Sequence, residues 1–250
     1  MSKNHIEFPA NGHTLSARLE LPDGPARATA IFAHCFTCGK DAVSAARIAH
    51  ALPAHGIAVL RFDFTGLGAS EGDFSETNFS SNVADLLAAA DYLRQRGMAP
   101  AMLIGHSLGG AAVLAAAGSI PEVKAVVTIG APAEPSHVTH LFGEQIEEIE
   151  RYGEAEVDLA GRPFNIKRQF IEDVTSHKLS DKIATLGRAL LVMHSPIDDT
   201  VDISNATRIL AAARHPKSFV SLDDADHLVT RRDDALYVAD VIAAWSGRYI

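Results

Sequence analysis

Gly105-His106-Ser107-Leu108-Gly109 places a serine two residues from a glycine on either side. That G-x-S-x-G spacing serves nucleophilic chemistry. A serine hydroxyl attacks a carbonyl when a sharp strand-to-helix turn pushes it clear of the backbone and a neighbouring base takes its proton. Such a turn brings neighbouring backbone too close for a Cβ, which accounts for the glycines. The context fits: Ala101 to Ile104 reads as an apolar strand, and Leu108 onward as a helix opening Gly109-Gly110-Ala111-Ala112. The plainer reading makes Ser107 a helix N-cap in a Gly-rich turn, and the partners further along the chain weigh against it.

A base and an acid should follow in the order Ser, acid, His. Met193-His194-Ser195-Pro196-Ile197-Asp198-Asp199-Thr200-Val201 offers an acid just past one strand-like run, and Asp223-Asp224-Ala225-Asp226-His227-Leu228 offers a histidine just past the last. Both lie where the carboxyl ends of parallel strands would be, the edge at which such sheets bind ligands. The chain has 12 histidines, and His227 is the one with the right order and place. His106 sits inside the turn and should point away from the nucleophile, His194 should be buried and hydrogen-bonded, and His34 should shape a loop. Spacing alone leaves Asp198, Asp199 and Asp202 open as the acid. Asp226 adjoins His227 and reads as a loop organiser. Two N–H donors are needed for an oxyanion: the backbone N–H of Leu108, and one from His34-Cys35-Phe36-Thr37, assigned to Phe36.

Cys35-Phe36-Thr37-Cys38 also has the C-x-x-C spacing of redox motifs. Cys35 and Cys38 are expected either to carry thiol chemistry or to line the mouth of the site. With only two cysteines, close together, no disulfide framework is expected. Asp63 to Gly72 is Gly-rich without the spacing of a phosphate-binding loop, and reads as a turn-rich loop fixed by Asp63 and Arg61. No metal-ligand spacing stands out, and neither metal nor cofactor is expected.

The elements that would hold these residues alternate. Thr29–Ala33, Ile57–Phe62, Met102–Ile104, Val123–Ile129, Ala189–Met193 and Ser218–Leu222 are strand-like. Helical patterns cover Asp41–His55, Asn78–Arg96, Leu108–Gly118, Ile203–Ala213 and Asp234–Trp245. His13–Leu21 alternates polar and apolar, as an antiparallel edge strand would. The expectation is one domain over residues 1–250, built on a doubly wound, mostly parallel sheet. About 133–182 breaks the rhythm, with a helix near Phe142–Arg151 and a hairpin near Glu154–Phe164, and is expected to be a small cap insertion.

Composition narrows the partners. A net charge of −9 argues against nucleic acid, which needs clustered Lys and Arg, and against an anionic membrane surface. No apolar run is long enough to span a bilayer, and no apolar leader follows Met1, so a cytoplasmic location is expected. Homodimerisation is left open.

In series, Ala33-His34-Cys35-Phe36-Thr37-Cys38, Arg61-Phe62-Asp63-Phe64-Thr65-Gly66-Leu67-Gly68, Ile104 to Gly110, His194 to Asp198 and Asp226-His227 resemble the hydrolase part of bacterial α/β hydrolase–OsmC fusion proteins. The resemblance runs from about Phe8 to Tyr249 and implies the α/β-hydrolase fold. It aligns His194, Ser195, Asp198 and Val201 with the family's His-Gly-x-x-Asp-x-x-Val and so implies Asp198 as the acid, with Ser195 in place of the usual Gly. The OsmC-like domain carried by those relatives has no counterpart here, and the chain reads as a stand-alone relative or an excised domain. The expected activity is that of a serine hydrolase of small-molecule carboxylic esters, with thioesters as a variant. The alternative is a redox-sensing or binding module built on Cys35 and Cys38, with a vestigial Ser-His-Asp set.

Overall fold

The structure is a computed structural model that describes residues 5–159 and 161–250. The chain opens with a hairpin, β1 (His5–Ala10) and β2 (His13–Glu20), joined at Asn11-Gly12, a dipeptide suited to two-residue hairpin turns. β3 (Ala28–Ala33) leads to α1 (Val43–Ala51), which ends in a short turn at Pro53 before β4 (Ile57–Phe62). α2 (Phe79–Gln95) starts from an Asn78 cap whose side chain accepts the Ser81 N–H, while the Ser81 hydroxyl meets the Asn78 N–H. That reciprocal arrangement satisfies two otherwise orphaned donors. β5 (Met102–His106), α3 (Leu108–Ala116) and β6 (Ala125–Ile129) follow.

Between β6 and the next sheet strand lies an excursion. It runs through a 3₁₀ stretch, α4 (Gln145–Tyr152), a hairpin of β7 (Glu154–Asp158) and β8 (Pro163–Lys167), then α5 (Arg168–Ser176) and α6 (Leu179–Ala184). β9 (Ala189–His194), α7 (Ser204–Ala212), β10 (Lys217–Ser221) and α8 (Arg232–Ser246) close the chain.

Among the described residues, eight strands form one sheet in the order β1-β2-β4-β3-β5-β6-β9-β10, and β7-β8 form a separate ribbon. β1 and β2 pair antiparallel, as do β2 and β4, and the rest of the large sheet is parallel. This is the α/β-hydrolase fold. Every residue of β4, β5, β6 and β9 is buried, because helices cover both faces. The pleat divides each strand between two cores: Ile31 and Ala33 face the layer containing α2 and α3, while Ala30 and Phe32 face α1 and α8.

One expectation needs correcting. His13–Glu20 is not an edge strand, because β1 pairs along its outer side and takes the edge. The first strand is too polar for burial to announce it, with exposed residues alternating with the buried Phe8 and Ala10.

α3 packs so closely on the sheet that a Cβ on Gly109 would run into the carbonyl oxygens of Ala33 and His34. Gly118, beyond the same helix, has nothing within 4 Å of its Cβ position. Gly109→Ala is therefore expected to cost about 2–3 kcal/mol in urea unfolding, while Gly118→Ala stays within about 0.5 kcal/mol of wild type. Equal effects at the two positions would mean that this close approach does not exist.

Candidate active site

Ser107 occupies the turn between β5 and α3 with φ 54° and ψ −127°, a backbone conformation that non-glycine residues rarely adopt. Its N–H donates to Ile129 O at 2.9 Å, and its carbonyl accepts the Gly110 N–H at 2.8 Å. The strained residue is thus held from both sides, and its side chain stands out from the sheet edge.

The Ser107 hydroxyl lies 3.0 Å from His227 Nε2, and His227 Nδ1 lies 2.8 Å from Asp198 Oδ2. A carboxylate only accepts, so Nδ1 carries the proton and the Nε2 lone pair faces the serine. His227 and Asp198 come from the loops after β10 and β9, the serine from the turn after β5, and all three meet at the carboxyl edge of the sheet. Asp198 is buried, and burial pushes its carboxyl up. The hydrogen bonds from His227, Val201 N and Thr200 N outweigh that and hold it below the usual carboxylate range. Asp199 is exposed and accepts from the Thr200 hydroxyl at 3.2 Å, while Asp202 accepts from Ser204 N at 2.8 Å at the start of α7. Neither reaches His227. Asp226 accepts from Thr230 N.

Two further histidines support this set in ways the sequence left unread. His106 does not simply point away: its Nε2 donates to the His227 carbonyl at 2.7 Å, and the two rings lie 5.2 Å apart. Burial, then the neighbouring His227, pushes the His106 pKa down to about 4. His194, fully buried, donates Nε2 to Val201 O at 2.7 Å and stands 3.6 Å from Asp198 Oδ2. It therefore braces the loop whose N–H groups hold the acid. Gly130, just past β6, has φ 54°, and a Cβ there would lie 3.2 Å from Asp198 Oδ2 and 3.4 Å from His227 Nδ1. A glycine ending a buried strand was the available signal for it.

The N–H groups of Phe36 and Leu108 make no hydrogen bond to another described residue. Leu108 is the first residue of α3, where no carbonyl stands a turn behind to accept from it. Beside these groups opens a cavity of about 320 Å³, lined by Cys35, Phe36, Thr37, Cys38, Ser107 and His227 on the sheet side. Leu141, Asp158, Leu159 and Arg162 close it from the excursion, and Thr200 and Leu228 from the loops of the acid and the histidine. Phe142 and Phe170, apolar residues of the same excursion, are instead buried in the core, where they pack on Phe36.

The two cysteines line the mouth of the site, as one of the two expectations had it. Cys35 and Cys38 are joined as a disulfide, so neither is a free thiol. The turn that returns the Cys38 N–H to Cys35 O at 3.2 Å brings the two Cα atoms to 5.3 Å, within the range a disulfide spans. The loop after β4 also differs in part from expectation. Asp63 does organise it, accepting Ala69 N at 2.9 Å and pairing with Lys40 Nζ at 2.6 Å. Arg61 turns away to Glu20, Asp41 and the Lys40 carbonyl. Among the described residues, no group of three or more His, Cys, Asp or Glu is arranged to hold a metal, and no helix is long and apolar enough to cross a membrane.

Residues 24–151 match the family described as serine aminopeptidase, S33. Over its whole length the chain is 52% identical to the esterase domain of a Rhodothermus marinus protein, whose crystal structure superposes with a TM-score of 0.81 and is covered to 99%. Mitochondrial palmitoyl-protein thioesterase ABHD10 of Mus musculus is 27% identical over 82% of this chain and 70% of its own length. The Homo sapiens protein is 28% identical over 58% of this chain. The match spans only about half, 49%, of the human relative's length. The ferulic acid-bound Est1E of Butyrivibrio proteoclasticus shares the fold at a TM-score of 0.80 and 20% identity, over 98% of each chain.

The buried histidine next to the nucleophile makes stability depend on pH. His106 stays neutral in the fold down to about pH 4, whereas the unfolded chain protonates it near 6.5. Between those values the unfolded state binds more protons, so stability falls as pH is lowered. The expected loss is about 3 kcal/mol by pH 4. Asp198 adds in the same direction at still lower pH, since its depressed pKa gives stability that is lost as pH falls through the folded value. Urea melts of wild type and His106→Gln at pH 7 and pH 4.5 check this. The variant keeps an amide donor and should lose distinctly less stability on acidification. An identical loss in both would contradict the assignment.

Proposed function

The chain belongs to the serine aminopeptidase S33 family of α/β hydrolases, and from that premise we propose that it hydrolyses carboxylic esters through an acyl-Ser107 intermediate. The observation that carries the reading is the hydrogen-bonded run from the Ser107 hydroxyl through His227 to Asp198, with spacings of 3.0 and 2.8 Å. His227 Nε2 takes the hydroxyl proton as Ser107 Oγ attacks the ester carbonyl. The Phe36 and Leu108 N–H groups receive the oxyanion. The imidazolium then returns its proton to the leaving alcohol, and a water activated by the same histidine releases the acid. Asp198 holds the tautomer and stabilises the imidazolium without itself taking the proton. His106 and His194 position His227 and Asp198 and do not touch substrate.

The excursion from about residue 133 to 182 serves as a small cap. Leu141 and Leu159 from it, with Leu228, give the cavity an apolar wall suited to an acyl chain or an alkyl or aryl alcohol. Thioesters are the second reading, favoured by the likeness to palmitoyl-protein thioesterases. A thioester carbonyl is attacked by the same groups and has the better leaving group.

Two matched series test the proposal: p-nitrophenyl esters from acetate to dodecanoate, and acyl-coenzyme A thioesters of the same lengths. Wild type is expected to turn over at least one series, with an optimum chain length that reports the depth of the cavity. Ser107→Ala and Asp198→Asn should each lose about 10⁴-fold or more in kcat. Hydrolysis that survives in Ser107→Ala would remove the serine from the mechanism.

A further inference from the structure

We propose that the Cys35–Cys38 disulfide is a positioning element of the active site. It holds the Phe36 N–H where the oxyanion forms, so that reducing the bond lowers turnover while leaving the fold in place. The inference rests on Ser107 as nucleophile and Phe36 as oxyanion donor.

The bond encloses the residues that matter. Phe36 and Thr37 lie between the two cysteines, and all four line the same cavity as Ser107 and His227. Closing a loop this short removes little entropy from the unfolded chain, so the bond acts mainly on local geometry. That geometry needs restraint. Thr37 has φ 60°, a left-handed conformation that a β-branched residue adopts only when its surroundings hold it there. The Phe36 ring is held by packing on Phe74, Phe142 and Phe170, but among the described residues the hydrogen bonds that fix the backbone of the tetrad are few. Cys38 N donates to Cys35 O at 3.2 Å, His34 Nδ1 lies 2.9 Å from the same oxygen, and Arg162 reaches across from the β7–β8 turn to the Thr37 carbonyl. Just beyond the tetrad, Lys40 N is anchored on Asp63. With the covalent closure gone, Thr37 can relax toward a common conformation, and the peptide carrying the Phe36 N–H turns with it.

An oxyanion donor works because it is already in place when charge develops. Loss of one such donor typically costs about 10²–10³ in kcat, and loosening it should cost a part of that. Ground-state binding uses the apolar cavity wall, so KM should change little.

The chemistry balances with a dithiol as reductant. Its thiolate attacks Cys38 Sγ, since Cys38 is half-buried while Cys35 is 7% exposed. Cys35 leaves as a thiolate, and the reductant's second thiol resolves the mixed disulfide and frees Cys38. Two electrons and two protons pass to the protein, and the reductant becomes its own disulfide. A small disulfide such as oxidised glutathione reverses the step and is itself reduced to two thiols.

The test measures kcat and KM on the best ester for wild type oxidised with oxidised glutathione, then treated with dithiothreitol, then reoxidised. Alkylation with intact-mass analysis reports the thiol state, and circular dichroism the fold. Expected are no alkylation of the oxidised protein, a fall in kcat of about tenfold or more on reduction with KM within about twofold, and recovery on reoxidation. Cys35→Ser/Cys38→Ser should be folded, slow under both conditions and indifferent to dithiothreitol. The inference is overturned if both cysteines still alkylate after oxidation, if reduction unfolds the protein, or if hydrolysis is equally fast in both states. Equal hydrolysis leaves the reading of the site standing. Absence of hydrolysis in every state overturns that reading and this inference together.

Discussion

The structure turns on a backbone strain at Ser107. A non-glycine residue at φ 54° is costly, and the surroundings are arranged so that no cheaper conformation is open. β5 ends in hydrogen bonds to β6, and α3 begins at once, its first turn pressed on the ends of β3 and β5. Side chains at Gly105, Gly109 or Gly110 would collide with that backbone or with Ala131. The strain is thus stored by packing, and its result is a hydroxyl raised above the carboxyl edge of the sheet.

Everything else at the site is arranged around that hydroxyl from loops that depend on the same edge. The parallel order β5-β6-β9-β10 puts the ends of these strands side by side, so loops far apart in sequence deliver a serine, an aspartate and a histidine to one place. The buried polar groups form a connected set: His106 on the His227 carbonyl, His194 on the Val201 carbonyl, and the Val201 N–H on Asp198. A connected network of this kind specifies one arrangement where isolated polar groups would only cost desolvation. The excursion between β6 and β9 then walls the cavity that opens over the serine.

Most of this was legible in the sequence because it follows from local rules. The glycine spacing, the order of serine, acid and histidine, and the alternation of apolar runs with helical patterns each have a direct backbone cause. Asp198 was not separable from Asp199 and Asp202 by spacing, because which of them faces inward depends on how Thr200 and Val201 turn their N–H groups. The support from His106 and His194 is a long-range contact with no local signature. The Cys35–Cys38 bond was unread for a related reason: whether two cysteines three apart can close depends on the turn between them, here one with Thr37 left-handed. Cavity residues such as Leu141 and Arg162 come from irregular parts of the excursion, where periodicity carries no information.

The central claim is that Ser107 is a nucleophile activated by His227. Covalent labelling tests it most directly, because the observation is a bond to a named atom and needs no knowledge of the substrate. Intact-mass and peptide analysis after exposure to a fluorophosphonate should show one adduct, located on Ser107, absent in Ser107→Ala and formed far more slowly in His227→Ala. An unlabelled Ser107, or labelling that proceeds at the wild-type rate without His227, would contradict the account.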